Sequence, residues 1–234
     1  MKFFKPFAAL ISAVIFSASL VSCSSKTQNS GDQHSHEGLV HDDLSSNVSV
    51  SQDDMPYGAT LSVLKADSDG VPLSIDYDNR FVSNDEAKIV SNYFAAINSK
   101  NADLFSSCYY PGFGDYFASL NGSSSIADYL NSTYSSLESD TIGSAFKFSY
   151  VTITDCIAPS DDAASNYNFK QVDFYLKSFS DGNNLDIPDK ITSRKVVVVD
   201  VMYDTASGNL SLDKRLKSDL CLYLYQIDGK YYVC

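Results

Sequence analysis

Residues 83 to 97 place the tightest constraint on what this chain can fold into. Ser83-Asn84-Asp85-Glu86 has the spacing of a capping box, in which the serine hydroxyl takes an orphan N–H and the glutamate reaches back to the serine N–H. Ile89, Val90, Tyr93, Phe94, Ala96 and Ile97 then recur at helical spacing and form one broad apolar face. That face must pack on something large. The last third of the chain supplies a partner, because Lys195 to Tyr203 contains Val196-Val197-Val198-Val199, a strand by its β-branched run. A turn follows at Ala206-Ser207-Gly208-Asn209. Leu220 to Gln226 and Tyr231 to Cys234 then flank Asp228-Gly229, the dipeptide favoured by a type I′ hairpin. The expected class is α+β, with N-terminal helices packed on a mainly antiparallel sheet.

The segments between these anchors add detail. Ala102 to Cys108 reads as a second, short helix, and Ser125-Ile126-Ala127-Asp128 opens a third whose apolar face carries Ile126, Tyr129, Leu130 and Leu137. Phe146, Phe148, Tyr150 and Thr152 alternate with polar or smaller residues, which predicts a strand half-buried on one face. Val172, Tyr175, Leu176 and Phe179 fit helical spacing better than strand spacing. Upstream, Leu61 to Leu64 and Leu73 to Tyr77 flank Asp67-Ser68-Asp69-Gly70 as a loose hairpin. That turn lacks the first acidic ligand of a calcium loop, since Lys65 stands where the pattern needs it.

The amino terminus has a different character. Lys2 and Lys5 precede an uncharged apolar run from Phe7 to Leu20, followed by small residues and Cys23, the layout of a secretory signal. Ser12, Ser17 and Ser19 interrupt a run already short for a membrane span. Leu20-Val21-Ser22-Cys23 resembles the lipobox of bacterial lipoproteins. The resemblance implies that Cys23 is acylated and becomes the mature N-terminus, placing the protein on the extracytoplasmic face of a cell membrane. Residues 24 to 54 are rich in Ser, Asn, Gln, Asp and His and too poor in apolar side chains to offset the entropy of ordering. The division expected is a signal peptide over 1–22, a flexible polar tether over 23–54, an N-terminal extension over 55–82 and an α+β domain over 83–234.

The residues Ile89-Val90-Ser91-Asn92-Tyr93-Phe94-Ala95-Ala96-Ile97-Asn98, with Asn101-Ala102-Asp103-Leu104-Phe105, resemble the opening helices of the nuclear transport factor two-like fold. Tyr225-Gln226-Ile227-Asp228-Gly229-Lys230-Tyr231-Tyr232-Val233 is similar to its last hairpin. The resemblance covers Ser83 to Cys234 and implies a curved, cone-like sheet wrapped around a long helix. Enzymes of that family place His, Asp or Tyr inside the cone, but the scaffold alone specifies no chemistry.

Composition narrows the functions. The formal net charge is −12, and removal of Lys2 and Lys5 leaves 15 basic side chains against 29 acidic, a net of −14. Such a surface repels nucleic acid, whose affinity for proteins comes mainly from Lys and Arg. All three histidines, His34, His36 and His41, fall in the tether, so no Ser-His-Asp or Cys-His arrangement forms within the domain. With Glu37, Asp42 and Asp43 they have the ligand types of a Zn²⁺ or Cu²⁺ site, but a flexible segment would have to be ordered to build one. No phosphate loop, nucleophile elbow or dinucleotide fingerprint occurs. Cys108, Cys156, Cys221 and Cys234 permit disulfides in an exported compartment, with three pairings open. In the I′ register Cys234 faces Tyr223, leaving Cys221 a diagonal neighbour at about 7 Å, far for a bridge. Cys23 is thus the one site residue assigned, for lipidation; no catalytic, cofactor-binding or metal-ligating residue stands out. The expectation is a membrane-anchored, non-catalytic domain binding a small molecule, a glycan or a surface protein. The alternative is an isomerase or hydrolase using Asp and Tyr in the cone cavity.

Overall fold

The computed structural model describes residues 21–22, 61–142, 144–159, 169–205, 208–211 and 220–234. Its longest helix, α1 (Asn84–Ser99), begins as its capping box requires: Ser83 Oγ accepts from the Glu86 N–H at 3.3 Å, and Glu86 Oε2 accepts from the Ser83 N–H at 2.7 Å. It ends where Lys100 turns left-handed at φ 49°. Asn101 then caps α2 (Ala102–Ser107) by accepting from the Leu104 N–H. Ser125 caps α4 (Ile126–Ser136) in the same manner, and a π-helical turn, Leu137–Ile142, extends it. Between them lies α3 (Phe113–Leu120), which the sequence pattern did not reveal. It carries no side-chain N-cap and follows Gly112 at φ 78°. Asp115 holds it to α4 by accepting from the Ile126 N–H at 2.8 Å.

An eight-stranded sheet packs on these helices. Strands β2 (Leu61–Leu64) and β3 (Ile75–Asp78) form the expected hairpin, and β3 also pairs in parallel with β4 (Phe146–Ile157). Residues 61–82 are therefore part of the sheet and its core, with Ile75, Tyr77 and Val82 buried. A parallel neighbour needs a long crossover, here supplied by the four helices. Beyond β4 come α5 (Phe169–Asn183), a single turn α6 (Ile187–Lys190), and the antiparallel strands β5 (Ile191–Thr205), β6 (Gly208–Ser211), β7 (Leu220–Ile227) and β8 (Lys230–Val233). Gly208 and Asn209, expected within a turn at 206–209, belong instead to β6, opposite Thr205 and Asp204 of β5. Val21–Ser22 (β1) add to the edge of β7 opposite Cys221 and Leu220.

The β7–β8 hairpin has the expected register, Ile227 facing Lys230, with Asp228 and Gly229 both at positive φ, 54° and 75°, as a type I′ turn demands. Cys234 donates its N–H to Tyr223 O at 3.0 Å. Among the described residues Cys108, Cys156 and Cys234 carry free thiols, whereas Cys221 is disulfide-bonded.

One correction concerns β4. Regular alternation would put Phe146, Phe148, Tyr150 and Thr152 on one face, but the β4–β5 register shifts between Phe148 and Tyr150. A bulge inserts an extra residue and turns the following side chains to the other face. Phe146 and Phe148 consequently point at the helices while Tyr150 and Thr152 point away. The irregularity is held by Asn98 of α1, whose amide donates to Phe148 O at 2.8 Å and accepts from the Phe148 N–H at 2.7 Å.

The helix-facing side of the sheet is filled by rings. Phe94 packs edge-on against Phe148 at 5.4 Å between centroids, Tyr134 stacks on Phe146 at 4.8 Å, and Phe146 meets Phe148 at 4.9 Å. Each buried ring contributes about 1.5–3 kcal/mol through burial alone. On the far side α5 covers β5 and β7, with Phe169 against Tyr223. The far side of β3 and β4 has no such helix among the described residues.

Candidate functional site

A groove opens on the α5 side of the sheet. The first residues of β5, Ile191 to Arg194, meet Asp173 and Lys177 of α5, Pro188 of α6 and Pro159 beyond β4 around a groove of about 660 Å³. Asp173 and Lys177 stand four residues apart on one helix and so share a face. Arg194 and Tyr225 are direct partners across β5 and β7, and both reach the same carboxylate. Arg194 Nη1 is 2.5 Å from Asp173 Oδ2, and the Tyr225 hydroxyl donates to Asp173 Oδ1 at 3.0 Å. Tyr225 is buried, whereas the Arg194 and Asp173 side chains keep 40% and 31% of their accessible surface. The arrangement is a stalk: a buried phenol fixes a carboxylate, which fixes a guanidinium at the groove wall. Lys177 pairs with Asp181 at 2.8 Å on the rim, and Thr192 Oγ1 lies 2.9 Å from Gln226 Oε1.

A second tyrosine–carboxylate pair sits on the same side of the sheet, beyond the helix. Tyr150 donates to Asp76 Oδ1 at 2.5 Å, and Asp76 is buried. Burial pushes both phenols well above their usual range, and the neighbouring carboxylate, Asp173 for Tyr225 and Asp76 for Tyr150, adds to the shift. Both remain protonated donors at neutral pH, with that proton already engaged.

A smaller cavity of about 250 Å³ lies at the start of α1, lined by Asp78, Phe81, Val82, Ile153, Thr154, Asp155 and Cys156. Lys195 forms an ion pair with Glu86 at 2.8 Å, their side chains 17% and 2% exposed, and donates to Phe81 O at 2.9 Å. Breaking such a pair strands a buried charge, so it pins α1 to β5. Burial raises the Cys156 thiol despite the nearby Lys195 ammonium. Burial likewise raises Cys108 to about 12, and it donates to Leu104 O. Neither is a ready nucleophile, because the thiolate is the reactive form.

Cys23, the histidines at 34, 36 and 41, and the tether lie outside the described residues. Asp67 to Gly70 form a turn in which Asp67 and Gly70 adopt positive φ and Asp69 accepts from the Lys65 N–H at 2.8 Å. Among the described residues, no helix is long and apolar enough to cross a membrane, and no group of three His, Cys, Asp or Glu is placed to hold a metal ion. Sequence reasoning did not single out Asp173, Arg194 or Tyr225. The only signal lay in the rarity of arginine in this chain, and rarity does not say what a residue meets. No protein family, curated protein or solved structure matches this chain.

Proposed function

We propose that this chain is a lipid-anchored extracytoplasmic protein whose domain, of nuclear transport factor two-like kind, binds a ligand at its outer surface without catalysis. The observation that carries the reading is the aromatic filling of the helix-facing side, with Phe94, Phe146, Phe148 and Tyr134 in mutual contact. This packing directs attention to the α5 groove as the ligand surface. The element order after Ser83, helices followed by β4, a helical excursion and an antiparallel meander, supports the fold resemblance. The anchor rests on Leu20-Val21-Ser22-Cys23, and the acidic surface makes nucleic acid an unfavoured partner.

Mass spectrometry of the N-terminal peptide from membranes tests the anchor. The expected product starts at acylated Cys23, and Cys23→Ala releases the protein from the membrane fraction or leaves an uncleaved precursor. Membrane retention of that variant, or a Cys23 peptide joined by disulfide to Cys221 and carrying no acyl mass, overturns it. A second reading, an isomerase or hydrolase working through Asp and Tyr, draws on the Tyr225–Asp173 pair beneath the groove. It requires turnover by the purified protein that Tyr225→Phe abolishes.

A further inference from the structure

Resting on the binding reading above, we infer that the α5 groove takes a carboxylate-bearing saccharide, its acid group held by Arg194. The guanidinium offers five N–H donors in a planar fork suited to carboxylates. One nitrogen, Nη1, is committed to Asp173, and this single attachment holds the group at the groove wall while leaving donors to spend. The stalk beneath is preorganised, because Tyr225 lies in the packed sheet and holds Asp173 from below. Affinity gained by such a group is not offset by the cost of immobilising it on binding.

The rest of the lining selects a polyhydroxylated ligand. Ser193 and Thr192 present hydroxyls, Asp173 an acceptor and Lys177 a second cation, beside apolar faces from Ile191, Pro159 and Pro188. A sugar, which presents donors and acceptors on every edge, matches this lining and fits a groove of about 660 Å³. The carboxylate supplies the discrimination: Asp173 repels an acid on its own side, so the acid group must approach the N–H donors of Arg194 that Asp173 does not engage.

The test uses the full chain purified in detergent, with galacturonate oligosaccharides as probe, the neutral galactose oligosaccharides of equal length as control, and a short acidic peptide as the competing class. Calorimetry should show the galacturonate series binding at least about tenfold more tightly than the neutral series, with affinity falling as salt rises. Arg194→Gln should erase that preference. Lys177→Gln, on an exposed rim where folding is not at stake, should reduce it about two- to threefold. Equal affinity for charged and neutral sugars, tighter binding of the peptide, or an Arg194→Gln protein that keeps both fold and preference overturns the inference. If the peptide binds and Arg194→Gln alters its affinity, the saccharide assignment fails while the binding reading survives; if no probe binds and substrate is turned over, both fail.

Discussion

The two tyrosine–carboxylate pairs contain the same chemistry in two settings. Tyr150–Asp76 lies on the side of β3 and β4 that no described helix covers, with the phenol half-buried and the carboxylate buried. Tyr225–Asp173 lies under α5 with the phenol fully buried, and its carboxylate also holds Arg194 at the groove. The first pair ties β4 to its parallel neighbour β3 within the sheet. The second transmits order from the core to a cation at the surface. The same kind of hydrogen bond thus joins two neighbouring strands in one place and, in the other, presents a guanidinium held by the carboxylate's second oxygen.

The comparison breaks most readily at Asp173. Asp173→Ala removes the ion-pair partner of Arg194 and leaves the buried Tyr225 hydroxyl without its acceptor, an expected loss of about 2 kcal/mol. Urea denaturation measures it as a lowered midpoint at unchanged slope. Tyr225→Phe should cost less, about 1 kcal/mol, because Asp173 keeps Arg194. Tyr150→Phe, at a half-buried phenol, should cost about 0.5 kcal/mol. A Tyr150→Phe loss equal to that of Asp173→Ala would show that the two pairs are energetically alike.

Alkaline titration sharpens the same contrast. A phenol with a raised folded value holds its proton more tightly folded than unfolded. The stability this contributes is complete below about pH 10, the ordinary tyrosine value, and is lost as pH rises through the folded values. Tyrosinate absorbance should therefore show late-ionising groups that appear only as the protein unfolds. Tyr225→Phe should flatten the alkaline decline of stability more than Tyr150→Phe does. The smallest effect belongs to the rim: Lys177→Gln, breaking an exposed pair with Asp181, should change stability by less than about 0.5 kcal/mol.

Several elements were legible in the residues because their causes are local. The capping box at Ser83 and Glu86, the helix start at Ser125, and the I′ turn at Asp228-Gly229 are satisfied within a few residues of themselves. Helix α3 escaped because it has no side-chain cap and is stabilised from outside, by Asp115 to α4 and by Phe113 against Phe179 of α5. The groove escaped for the same reason, since Asp173, Arg194 and Tyr225 come from three separate elements.

From its sequence alone this protein has its class, α+β, its main helix, its last hairpin and the expectation of an acylated Cys23. Each follows from periodicity, turn chemistry or a contiguous motif. Tertiary structure alone decided that residues 61–82 join the sheet, because their parallel pairing with β4 spans the whole helical region. It also decided that Tyr150 faces away from Phe148. That reversal depends on a bulge whose freed N–H and C=O are taken up by Asn98, fifty residues earlier in the chain. A local pattern predicts the face of a strand only while its ladder stays regular, and a distant amide stabilises the exception.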